Sequence, residues 1–151
     1  MGALHLEVEI AAPRDRVFVF FVPQRMPLWY APEMETQFEV SAGATDFRVG
    51  QKVRICGHLG KREVALVAVV GRYEWLHALE WDFQDAYGVR GRQMWQVEDT
   101  ASGTRVSMHE YYTFPGRLGR WLDPILMRPS IRARARGMLK KLKQLAEGVR
   151  H

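Results

Sequence analysis

Two side chains stand where strand alternation would turn them toward an apolar interior. In the stretch Trp75 to Trp81, a period of two puts His77 on one face with Trp75, Leu79 and Trp81. An imidazole titrates near neutrality, so there it could act as a general acid or base, or anchor a ligand oxygen. In Thr104 to Phe114 the same alternation places Glu110 inward, between Met108 and Tyr112. A carboxylate so placed needs a partner or carries a raised pKa. It could orient a ligand or take a proton from beside a carbonyl. Plainer readings stay open for both: a hydrogen-bonded core histidine, and a glutamate that pairs with an arginine at a rim or is turned to solvent by a bulge. Gln93 and Tyr112 are secondary polar candidates.

Other chemistries find less footing. Cys56 is the one cysteine; alternation groups it with Arg54 and His58, and no Cys-His-Asn set accompanies it. One cysteine also excludes a disulfide framework and a multi-cysteine zinc site. His5 and His109 read as outer-face residues, and no His, Asp or Glu pair has metal-ligand spacing. Gly57 to Arg62 lacks the spacing and hydroxyl of a phosphate-binding loop, and Gly-x-Ser-x-Gly is absent. No cofactor or metal is expected.

The elements that must position these residues follow from periodicity. Leu4, Leu6, Val8 and Ile10 alternate with polar residues as a half-buried strand. Pro13 and Asp15 open a short apolar helix through Val22, and a second short piece runs from Met26 to Tyr30. Six further strands are expected: around Phe38 and Val40, then Phe47–His58, Val64–Val70, Trp75–Trp81, Val89–Glu98 and Thr104–Phe114, with a turn at Gly71-Arg72. Met127, Ile131, Ala135, Met138, Leu142, Leu145 and Val149 recur at helical spacing as one apolar stripe. Pro129 is expected to kink that helix or divide it from an earlier turn.

The 151 residues carry a formal charge of +5, which hints at nucleic acid. Its location argues otherwise. Residues 1–116 hold 12 basic and 15 acidic side chains, whereas residues 117–151 hold 10 and 2. The excess belongs to the last helix, where Arg132, Arg134 and Arg136 do not share one docking face. No nucleic-acid partner is expected; transient contact with an anionic membrane through this helix remains open. There is no signal peptide, no apolar run long enough to span a bilayer and no asparagine, so a cytoplasmic protein is the default expectation.

One strand, two short helices, six strands and a long helix describe an α+β chain, a curved antiparallel sheet wrapped around its C-terminal helix, in a single domain over 1–151. Five marks in order strengthen this: Ile10-Ala11-Ala12-Pro13 through Val17-Phe18, Pro27-Leu28-Trp29, Val49-Gly50, Gly103-Thr104-Arg105-Val106, and Leu139 to Glu147. With them the chain resembles the helix-grip (SRPBCC, START-like) superfamily, nearest in look to polyketide cyclase/dehydrase-like and coenzyme Q-binding-like members. The resemblance implies a hydrophobic cavity between sheet and C-terminal helix that holds a lipid, polyketide, sterol or quinone-like molecule.

On that reading the cavity lining comprises Trp29, Phe38, Ile55, Leu66, Trp75, His77, Leu79, Trp81, Gln93, Trp95, Met108, Glu110, Tyr112, Met127, Ile131 and Met138. The leading expectation is binding or transport of a hydrophobic small molecule. A cyclase/dehydrase-type enzyme using His77 or Glu110 is the second. A regulatory or stress-response protein whose basic helix meets an acidic partner is the third.

Overall fold

The computed structural model describes residues 2–40, 44–85, 88–113 and 128–148. In chain order the elements are β1 (Gly2–Ile10), α1 (Arg14–Phe18), two 3₁₀ turns (Met26–Leu28 and Pro32–Met34), β2 (Gln37–Glu39), β3 (Lys52–Leu59), β4 (Arg62–Glu74), β5 (Ala78–Asp85), β6 (Arg90–Thr100), β7 (Gly103–Thr113) and α2 (Arg128–Ala146). The strands form one seven-stranded antiparallel sheet in the order β1-β7-β6-β5-β4-β3-β2. Sequential hairpins build all of it except the β1–β7 pairing, which joins the first strand to the last. This is the expected helix-grip architecture.

Alternation decides what faces inward. On β7, Thr104, Val106, Met108, Glu110 and Tyr112 are buried; on β6, Gln93, Trp95 and Val97 are. α2 covers this face with Ala135, Met138, Leu139, Leu142 and Ala146, all buried, and with half-buried Ile131 and Leu145 at the margins. Each fully buried leucine there contributes on the order of 1.5–3 kcal/mol. α2 runs without a break from Arg128, with Pro129 at its second described position; the earlier turn from which Pro129 was expected to divide it lies outside the described residues. Met127, Phe114 and Val149 lie outside the described residues.

β3 begins at Lys52, not at Phe47, and three other boundaries differ from expectation. α1 stops at Phe18, four residues before Val22, because turns through Phe20 and Phe21 fold the chain back. Within the second short piece, Met26 to Tyr30, there is a 3₁₀ turn over Met26–Leu28; another over Pro32–Met34 follows Ala31, which lies in the left-handed region at φ 47°. The largest change is at Gly71. β4 does not turn there; it runs on to Glu74, and the register against β5 slips between Val70 and Arg72, the mark of a β-bulge. The chain reverses at Trp75–His77 instead, with Leu76 at φ 70°.

Candidate functional site

The inner face of β5, β6 and β7 carries a chain of polar side chains in an apolar setting. Gln93 and Glu110 are direct cross-strand partners, only 6% and 7% exposed. Gln93 Nε2 donates to Glu110 Oε1. The Gln93 amide oxygen accepts twice, from Tyr30 Oη at 2.9 Å and from Trp81 Nε1 at 2.9 Å. Trp81 is brought there because it pairs with Gln93 across β5 and β6.

Tyr30 comes from the other side of the interior, on the segment between α1 and β2. That segment is held by side-chain bonds to its own backbone. Trp29 Nε1 donates to the Phe20 carbonyl at 2.8 Å, and Thr36 Oγ1 to the Ala31 carbonyl at 2.8 Å. Tyr73 Oη on β4 donates to the Phe21 carbonyl at 3.0 Å. These bonds hold the segment in place and aim Tyr30 at Gln93; the Ala31 carbonyl also accepts the Met34 N–H of the second 3₁₀ turn.

Burial pushes the Glu110 carboxyl above the ordinary carboxylate range, opposed by the Gln93 hydrogen bond and by the Arg134 guanidinium on α2. Burial also drives the Tyr30 phenol well up, assisted by the Glu110 charge, so Tyr30 stays a neutral donor. Sequence reading passed over both Tyr30 and Arg134. Tyr30 sits in a segment with no period to phase it. Arg134 reads as a solvated helix flank, and its side chain is indeed exposed, yet its charge is felt at both Tyr30 and Glu110.

His77 does not join this group. Because β4 ends at Glu74 and the turn occupies Trp75–His77, the alternation that would point His77 inward is interrupted before it reaches β5. His77 is exposed and contacts Arg14, whose Nη1 lies 3.2 Å from Nδ1. Arg14 donates, so Nδ1 accepts. Arg14 is also held by Asp99 at 3.0 Å. Trp75 is likewise turned outward, 49% exposed, with its ring edge-on to Phe18 at 5.3 Å. Neither lines the interior, and no acid–base pair of His77 with Glu110 forms.

The other expected lining residues among the described ones do face inward, but many pack on one another. Trp29, Leu79, Trp81, Trp95 and Met108 are at most 1% exposed. Trp81 and Trp95 meet edge to face at 5.2 Å, Tyr30 meets Phe38 at 5.2 Å, and Trp29 meets Trp95 at 6.3 Å. Ile55 and Met138 are buried; Phe38, Leu66 and Ile131 are half-buried. Around the three tryptophans the interior is therefore a packed aromatic cluster. Trp95 Nε1 is a buried donor with no hydrogen-bond partner among the described residues.

A hollow of about 950 Å³ lies elsewhere, bordered by Val67, Val69, Asp82, Gln84, Arg92 and Tyr111 together with Leu66 and Tyr112. Val67, Val69, Asp82, Gln84, Arg92 and Tyr111 are exposed, so it opens on the solvent side of the sheet, away from the Gln93–Glu110 pair. Val67 and Val69, on the outer face of β4, are exposed there.

Among the described residues no helix is long and apolar enough to cross a membrane. The family described as polyketide cyclase / dehydrase and lipid transport matches residues 1–147. No curated protein sequence matches. Solved structures with the same fold include a protein from Mesorhizobium loti at 15% identity and TM-score 0.75, covering 99% of this chain and 100% of its own. A protein from Chromobacterium violaceum, at 18% identity and TM-score 0.73, covers 97% and 99%. Ara h 8.0201, at 10% identity and TM-score 0.75, covers 98% and 99%. At such identities the likeness is one of fold.

Proposed function

The chain belongs to the polyketide cyclase/dehydrase and lipid transport family, and from that membership we propose that it binds a hydrophobic small molecule between the inner face of its sheet and α2, with Glu110 meeting the molecule's polar end. The observation that carries the reading is Glu110 itself. A structural core gains nothing from a carboxyl group that burial disfavours, and an apolar side chain would fill the same place at lower cost. Glu110 is nevertheless present, bonded through one oxygen to Gln93, whose own amide oxygen is held by Tyr30 and Trp81. Apolar walls with a few convergent polar groups are how small-molecule sites are built. Met138 and Ile131 on α2 supply adaptable and branched surface opposite.

The test is native mass spectrometry of gently purified protein with extraction of any retained lipid, followed by titration with Nile red as a neutral apolar probe. Retention of a small molecule, or saturable Nile red binding abolished by Met138→Trp in a variant of unchanged circular dichroism, is the expected result. Absence of both overturns the reading.

A further inference from the structure

Trp81 sets the polarity of the inner polar chain. An indole N–H can only donate. The Gln93 atom 2.9 Å from Trp81 Nε1 is therefore the amide oxygen. Tyr30 Oη donates to the same atom, which fills both of its lone pairs. The amide nitrogen must then face Glu110, and Glu110 Oε1 must accept from it. The carbonyl oxygen of a carboxylic acid accepts better than its hydroxyl oxygen, so a proton on Glu110 belongs on Oε2. Among the described residues Oε2 has no protein partner. Trp95 Nε1, two residues along β6 from Gln93 on the same inner face, is a second donor without a partner. Beside Glu110, then, a protonated Oε2 and Trp95 Nε1 are both donors, and no acceptor among the described residues meets either.

We infer that the ligand's polar end is an uncharged carbonyl, a ketone, ester or quinone oxygen, which accepts a hydrogen bond from Oε2–H of protonated Glu110, and that carboxylate ligands are rejected. The inference rests on the binding reading above and names its ligand class. A ligand that covers Oε2 removes the water that sustains the ionised form, so binding takes up one proton from solvent when Glu110 is ionised beforehand. Among the described residues the groups that face Glu110 are few. From β1 there is Leu4 and from β6 Gln93, both uncharged; β7 adds Tyr112, and the segment before β2 adds Tyr30, a neutral phenol. α2 contributes Arg134, which favours the carboxylate but is exposed, where solvent weakens its pull.

The test compares nonyl methyl ketone with decanoate, which carry the same alkyl chain, by displacement of Nile red from about pH 6 to about pH 9. The wild type should bind the ketone at least about 10-fold tighter than decanoate, and its ketone affinity should fall as pH rises. Glu110→Gln keeps a donor of similar size that cannot ionise, so its ketone affinity should be flat with pH. Decanoate binding as tightly as the ketone, or a ketone pH profile identical in the wild type and Glu110→Gln, overturns this inference and leaves the binding reading standing. Failure of Nile red and both chains to bind overturns the binding reading as well.

Discussion

The carboxylate of Glu147, just beyond α2, accepts the backbone N–H of Ala11 at 2.8 Å, joining residues 136 apart in sequence. Lys143 reinforces the clasp: its ammonium pairs with Glu147 and donates to the Glu9 carbonyl at 2.9 Å. Ala11 follows the last residue of β1, and its N–H has left the sheet ladder. One side chain thereby satisfies an orphaned donor and pins the end of the helix to the corner between β1 and α1.

Glu147→Gln should therefore destabilise the fold by about 1–2 kcal/mol, the range for a charge-assisted hydrogen bond at a half-buried site. The Ala11 N–H first, and Lys143 second, hold the Glu147 carboxyl below its ordinary range. A depressed carboxyl pKa stabilises above the unfolded value and loses that contribution as pH falls through the folded value. Urea denaturation should show the gap between wild type and Glu147→Gln narrowing from neutral pH toward about pH 3.

Glu110 carries the opposite sign. Its carboxyl is raised, chiefly by burial. Folding then favours the protonated form, and stability declines as pH rises from the unfolded carboxyl pKa through the folded one. Glu110→Gln removes that decline. The variant should gain on the wild type as pH increases, read from urea midpoints across the same series. A gap that stays constant with pH would show that burial does not perturb this carboxyl.

Trp81→Ala should cost about 3–5 kcal/mol, the range for a large aromatic removed from a core. The side chain is 1% exposed and meets Tyr30, Phe38, Phe47 and Trp95 at ring-centroid distances of 6.3, 6.1, 5.6 and 5.2 Å. It is packed on all sides rather than standing at the edge of a void. A loss below about 1 kcal/mol in chemical denaturation would instead mean an open wall.

Glu35 is exposed, with φ at 54° in the left-handed region, where a Cβ costs roughly 1–2 kcal/mol. Glu35→Gly relieves this strain but loosens the unfolded chain, so a net gain of about 0.5–1 kcal/mol is expected. Glu35→Val, branched at Cβ, should lower the melting temperature. The pair of melts checks the sign of both.

Where burial and a regular period coincided, residues declared their own place. The stripe through Ala135, Met138 and Leu142 became the covering face of α2, and the alternation of β6 and β7 put Gln93 and Glu110 on the inner surface. Those patterns are local: they need only the geometry of one helix or one strand. The start of β5 was not local. A bulge at Gly71 costs little in isolation, and only the pairing of β4 with β5 decides that the strand continues to Glu74 and turns at Trp75–His77. That later turn put His77 and Trp75 on the surface rather than in the interior.

By itself, the sequence determined the order of elements, the inward residues of the regular strands, the apolar face of the last helix and the presence of a carboxyl group among apolar neighbours. Only the tertiary structure decided what that carboxyl touches. Tyr30 reaches Gln93 across 63 residues and Trp81 reaches it across a strand pair. Such meetings depend on how separate elements pack, and packing satisfies the donors and acceptors of the whole interior together rather than those of any one segment.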